Sequence, residues 1–136
     1  MIRGSCLCGA VRFEITGKTT DIGMCHCSKC RKVSGVASNA TLVVGREHLR
    51  FVSGEEHVTR FALPDGWGVW RCATCGSPVP TAHQAGGAYY VPAGLLEGDP
   101  GLRVAGHIWV DSKAPWDEIP SSGSHWRKGF DGERID

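Results

Sequence analysis

The chain has 136 residues, a formal net charge of +1, seven cysteines and six histidines. A chain of this length buries most of its apolar surface as one domain, so a single domain over residues 1–136 is expected. The near-zero charge excludes broad electrostatic capture of nucleic acid. No apolar run approaches the length of a membrane span, and "MIRGSCLCGAVRF" lacks the pattern of an export signal, so a soluble, cytoplasmic protein is expected.

In chain order, the first clear element is "AVRFEITG". Val11, Phe13 and Ile15 alternate with Arg12, Glu14 and Thr16, the two-residue period of a half-buried strand. Short strands are predicted around Leu42 to Val44, Leu49 to Val52, His57 to Leu63, Gly68 to Arg71, Val79 to His83, Ala88 to Val91 and Val104 to Val110. Turn signals such as "VSGEE", "LPDGWG", "QAGG" and "GDPG" separate them. The pattern predicts an all-β sandwich or barrel, of which a small β-sandwich of short antiparallel strands, stapled by zinc on the cysteines below, is the reading taken. "CSKCRKVS" makes at most a helical turn. The segment "SHWRKGFDGERID" reads as a polar tail pinned by Trp126 and Phe130, its very end disordered.

Seven is an odd number, and close-spaced thiols recur three times, so metal ligation is the better reading than a disulfide framework. "CLCG" and "CATCG" each end in glycine directly after the second cysteine. Gly9 and Gly76 there permit a positive φ that aims backbone N–H groups at the thiolates. Two such pairs make a closed tetrahedral site of Cys6, Cys8, Cys72 and Cys75; structural zinc is the commoner occupant, and iron is the alternative with the same ligands.

"CHCSKCRK" leaves Cys25, Cys27 and Cys30 with no fourth cysteine. Three thiolates on zinc with an open position make the pattern of a catalytic site. Alternatively, a histidine closes the site. His26 points away between two ligands, whereas His83 and His107 lie on predicted strands and could reach. A third reading makes Cys27 and Cys30 a redox pair, although no βαβ unit supports it. An open zinc with three thiolates is a weak Lewis acid and suits deprotonation of a fourth, exogenous thiol. Lys29, Arg31 and Lys32 offset its charge and attract an anionic thiol.

The succession CxCG, CHCxxCR, CxxCG, with "HIWVDSKAPW" at residues 107–116, resembles the glutathione-dependent formaldehyde-activating enzyme family, which also includes the domain of centromere protein V. The resemblance runs from Cys6 to about Ile119. It implies a two-zinc β fold similar to that of the Rab-exchange-factor-type zinc proteins. It also implies a structural zinc on Cys6, Cys8, Cys72 and Cys75 and a catalytic zinc on Cys25, Cys27 and Cys30. The implied activity is addition of glutathione to formaldehyde to give S-hydroxymethylglutathione, a carbon–sulfur lyase reaction. The implied partners are a small thiol and an aldehyde, with neither nucleic acid nor membrane.

Around these sites the sequence singles out Trp109 and Trp116, read as packing residues, and Lys113, which could pair with a glutathione carboxylate. Pro80 and Thr81 are candidate pocket lining. A non-catalytic, zinc-stabilised binding module and a glutathione carrier are the alternatives to an enzyme, and nothing in the sequence specifies an oligomer.

Overall fold

The computed structural model describes residues 1–83 and 86–135. Its contacts form two compact units, one of Met1–Thr20 with Leu42–Gly101, the other of Asp21–Thr41 with Leu102–Asp136. The strands in chain order are β1 (Ile2–Ser5), β2 (Arg12–Ile15), β3 (Ile22–Cys25), β4 (Asn39–Gly45), β5 (Leu49–Ser53) and β6 (Val58–Ala62). They continue with β7 (Gly68–Cys72), β8 (Pro78–Val79), β9 (Thr81–Ala82), β10 (Ala88–Pro92), β11 (Val104–Ile108) and β12 (Ser124–His125). The protein is therefore mostly β, as the punctuation by glycine and proline predicts. Among the described residues, no helix is long and apolar enough to cross a membrane.

In the first unit, β2 pairs antiparallel with β1 and β5, and β7 pairs antiparallel with β6 and β8. The predicted alternation in β2 holds: Phe13 and Ile15 are 1% exposed, while Glu14 turns outward to accept a hydrogen bond from Arg50 Nη2 at 3.0 Å. Gly4 faces the Phe13 ring across the ladder, and a Cβ there would lie 2.3 Å from Cζ, so this close packing requires glycine. Val11, Cys6, Cys72 and Val79 form a buried cluster, with Phe51, Val58 and Trp70 packed against it. Tyr89 on β10 meets Phe51 and Trp70 edge-on, at centroid separations of 6.0 and 6.2 Å.

The second unit is built around β3. Its antiparallel partner is the start of β4, with Cys25 opposite Asn39. On its other side β11 runs parallel, pairing Met24 with His107 and Ile108 with Cys25, and β12 continues parallel to β11. This corrects the expectation of purely antiparallel strands. The chain returns to β3, and from β11 to β12, through long crossovers that permit parallel pairing, as tight hairpins cannot. Gly106 allows the close approach of β12, since a Cβ would sit 2.7 Å from the Ser124 carbonyl oxygen.

Sequence reading missed β1, β3 and β12, each only two to four residues long. "IGMC" carries no alternation because all four residues of β3 are half-buried. "CSKCRKVS" exceeds a single turn: α1 (Ser28–Ser34) is a seven-residue helix, closed by Gly35 in the left-handed region at φ 65°. The C-terminal segment is ordered by pairing, and Trp126 and Phe130, expected to pin it, meet edge-on at a centroid separation of 5.8 Å. Trp126 N–H donates to the His107 carbonyl, Val110 N–H to the Trp126 carbonyl, and Ile135 N–H to the His125 carbonyl.

Candidate metal centres

The first unit brings Cys6, Cys8, Cys72 and Cys75 together, with their sulfurs all within 4.8 Å of one another. The Cys6 and Cys8 sulfurs are 3.6 Å apart, and those of Cys8 and Cys72 are 3.8 Å apart. A tetrahedral site with zinc–sulfur bonds of about 2.3 Å requires sulfurs about 3.8 Å apart, so the donor set fits a metal of that kind.

The local chain explains the convergence. Gly9 at φ 80° and Gly76 at φ 79° reverse the backbone after each pair, donating to the Cys6 and Cys72 carbonyls respectively. The reversal aims N–H groups at sulfur. Val11 donates to Cys6 Sγ at 3.3 Å, and the Cys75 and Thr74 amides hold the Cys72 thiol below its ordinary range. Ser77 Oγ lies 3.2 Å from Cys75 Sγ, and its hydroxyl, followed by its backbone N–H, lowers Cys75 to about 5. The Ala10 amide acts the same way on Cys8, but desolvation and the crowding thiols of Cys6, Cys75 and Cys72 push it up to about 11. Cys6 and Cys72 are buried, whereas Cys8 is exposed.

The second unit brings Cys25, Cys27 and Cys30 together on the end of β3 and the first turn of α1, again with sulfurs within 4.8 Å. Cys27 is the N-cap of α1. Its backbone is extended, at φ −67° and ψ 157°, and its sulfur accepts the Cys30 N–H at 3.4 Å, in the role usually filled by a serine or aspartate oxygen. The Cys25 and Cys30 thiols donate to Cys27 and hold it well below the usual thiol range. The reciprocal contacts raise the donors, with Cys25 pushed up to about 11 by Cys27 and Cys30 raised by Cys25 and then Cys27.

Among the described residues, no histidine, cysteine or carboxylate joins this triad as a fourth ligand. His107, one candidate, is engaged elsewhere: its Nδ1 lies 3.0 Å from His26 Nε2. His83 meets the Tyr90 ring edge-on. All seven cysteines are unbridged. The His26 side chain is indeed not with the sulfurs. It is 2% exposed, with Nδ1 3.6 Å from Asp117 Oδ2. Burial first, then the neighbouring His107, pushes His26 below the usual imidazole range; burial and His125 do the same to His107.

Trp116 is 72% exposed and does not pack, while Trp109 is 37% exposed and takes φ 59°, the only non-glycine residue in the left-handed region among those described. The Trp109 amide is held by the Lys128 carbonyl at 2.9 Å, so the C-terminal segment stabilises this strained residue. Lys113 Nζ donates to the Asp117 carbonyl at 2.8 Å. Pro80 is fully buried, and Thr81 Oγ1 accepts the Trp70 amide at 2.9 Å. Arg31 Nη2 donates to the Ser112 carbonyl at 3.2 Å, tying α1 to the loop after β11. Sequence reasoning overlooked Asp117 and His125, which gather around His26 and His107; the only signal was their proximity to the "HIWVDSKAPW" stretch.

The sequence model of the glutathione-dependent formaldehyde-activating enzyme family matches residues 1–112. A protein of Halomonas elongata, provisionally named a glutathione-dependent formaldehyde-activating enzyme, is 29% identical over 131 residues, covering 89% of this chain and 82% of its own. Among solved structures, a Rhodobacter sphaeroides protein is 31% identical with a TM-score of 0.57, over 73% of this chain and 92% of that one.

Proposed function

Because the chain belongs to the glutathione-dependent formaldehyde-activating enzyme family, we propose that it is a zinc-dependent carbon–sulfur lyase that joins glutathione to formaldehyde. The observation that carries this reading is the triad of Cys25, Cys27 and Cys30, three converging sulfurs with no fourth ligand among the described residues. In the reaction, the glutathione sulfur forms a bond to the aldehyde carbon and the thiol proton passes to the aldehyde oxygen, giving S-hydroxymethylglutathione. The reverse reaction is the lyase direction.

Cys25, Cys27 and Cys30 would hold one zinc, and Cys6, Cys8, Cys72 and Cys75 a second, structural one. When bound at the triad, zinc supplies an open coordination position that lowers the pKa of an incoming thiol. The protein's own residues do the rest. Cys27 caps α1, so the helix fixes the relative positions of two of the three sulfurs. Lys29, Arg31 and Lys32, on the same helix, supply positive charge that draws the anionic tripeptide toward the triad. Arg31 is oriented by its bond to Ser112.

Exchange spectroscopy by NMR on a mixture of glutathione, formaldehyde and their adduct tests the assignment. Faster exchange with the intact protein than with Cys27→Ser supports it. Equal rates, in samples shown to contain two zinc ions per intact chain, would overturn the formaldehyde activity and leave the metal centres standing.

A further inference from the structure

The three sulfurs of the triad hang from two different elements, Cys25 from the end of β3 and Cys27 and Cys30 from the start of α1. Within the helical turn the spacing of two of them is set, because Cys27 Sγ accepts the Cys30 N–H at 3.4 Å. The helix does not set its own position against β3. It has seven residues and none of them is buried, so apolar packing does little to hold it. Polar tethers act on it from both sides. On one side Arg31 Nη2 donates to the Ser112 carbonyl at 3.2 Å. On the other stands Asn39, the first residue of β4 and the register partner of Cys25. Residues directly opposite in an antiparallel pair project to the same face, so the Asn39 side chain shares the face of Cys25. From there Asn39 Nδ2 donates to the Cys30 carbonyl at 3.1 Å.

We propose that Asn39 is a positioning residue of the triad, a brace that sets the Cys30 sulfur against the Cys25 sulfur. The inference rests on the reading of the triad as a metal centre and adds to it a residue from outside the cysteine motif. One end of the brace is anchored in the β3–β4 ladder, where Gly23 pairs with Thr41, Met24 with Ala40 and Cys25 with Asn39 itself. The other end holds the backbone of the residue that carries the third sulfur, so the bond fixes how far the first turn of α1 stands from the end of β3. The acceptor is a carbonyl, which requires the amide nitrogen of Asn39 as donor; a side chain of the same shape without an N–H cannot replace it. Groups that orient a ligand without touching the metal govern metal affinity by about 10- to 100-fold, because a set of donors held loosely must be ordered when the ion binds.

¹¹³Cd NMR of the cadmium-loaded full chain tests it, with Cys27→Ser identifying the triad resonance by its absence. Asn39→Leu keeps the side-chain shape and removes the donor. In that variant the four-cysteine resonance is expected to stay in place and the triad resonance to move. A competing chelator should empty the triad at a concentration about tenfold lower than in the intact protein, with the melting temperature within a few degrees. Should the variant fail to fold, Asn39→Thr takes its place with the same expectation, since threonine suits a strand and its hydroxyl is too short to reach the Cys30 carbonyl. A triad resonance and chelator midpoint equal to those of the intact protein, equal loss of metal from both groups, or a lowered melting temperature with the triad unmoved would each overturn the proposal. No formaldehyde exchange, with the triad responding as expected, would support the brace and overturn the lyase assignment alone. Absence of a triad resonance from the intact protein would overturn both.

Discussion

The sulfurs of Cys8 and Cys72 lie 3.8 Å apart although 64 residues separate them in the chain. That contact joins the turn after β1 to the turn after β7, and beneath it lies the cluster of Cys6, Val11, Cys72 and Val79. A metal held by the four cysteines would therefore be coupled to core packing in the first unit, because Cys6 and Cys72 are themselves core residues.

From this follows the effect of breaking the four-cysteine group. Cys72→Ser removes a ligand that is 1% exposed and leaves a hydroxyl among apolar neighbours. The expected outcome is loss of the metal at this site and destabilisation of at least several kcal/mol, since structural zinc contributes on the order of 10 kcal/mol to small folds. Metal analysis together with thermal unfolding by circular dichroism checks both. Excess chelator should lower the melting temperature of the intact protein in the same way.

The triad should respond differently. In Cys27→Ser the serine hydroxyl still caps α1, a role serine fills well, so the helix keeps its start. Metal content is expected to fall by one ion per chain with the melting temperature within a few degrees of the parent. Unfolding of the variant would show that the triad is structural too.

Acid should empty the two groups in order. Metal binding requires thiolates, so protons compete with the ion and affinity falls as pH falls. In the triad, Cys25 is raised to about 11 and Cys30 is raised as well, so two of three ligands hold their protons more tightly than an ordinary thiol. In the four-cysteine group, Cys72 is lowered and Cys75 is lowered to about 5, against one raised ligand, Cys8. The triad should thus release its metal at a higher pH than the four-cysteine group during acidification. A chromogenic zinc indicator, read in intact protein and in Cys27→Ser, resolves the two steps.

Gly54 provides a test of the backbone near the first metal group. It takes φ 80°, and a Cβ would sit 2.0 Å from the Ala10 carbonyl oxygen, two residues after Cys8. Gly54→Ala combines a left-handed conformation with a backbone clash, and a loss of about 2 kcal/mol or more is expected in chemical denaturation. Gly94→Ala, where nothing lies within 4 Å of the added carbon and φ is not in the left-handed region, is the matched control and should stay near the parent.

Much of the site was legible in the order of residues alone. Cysteine spacing identified both groups of thiols, and glycine at 9 and 76 marked the two halves of the four-cysteine group, because thiols close in sequence converge through a local turn that leaves its own mark. Alternation at Val11, Phe13 and Ile15 located β2 for a similar reason, since one face of that strand is buried and the other is wet. Tertiary structure alone decided the rest. The parallel alignment of β3 with β11 depends on long crossovers, which no local pattern encodes. That alignment places His26 against His107, 81 residues away, and near Asp117, and gives those residues a recess of their own. It also explains why the histidines do not complete the triad: side-chain alternation at the end of β3 sends Cys25 and His26 to opposite faces.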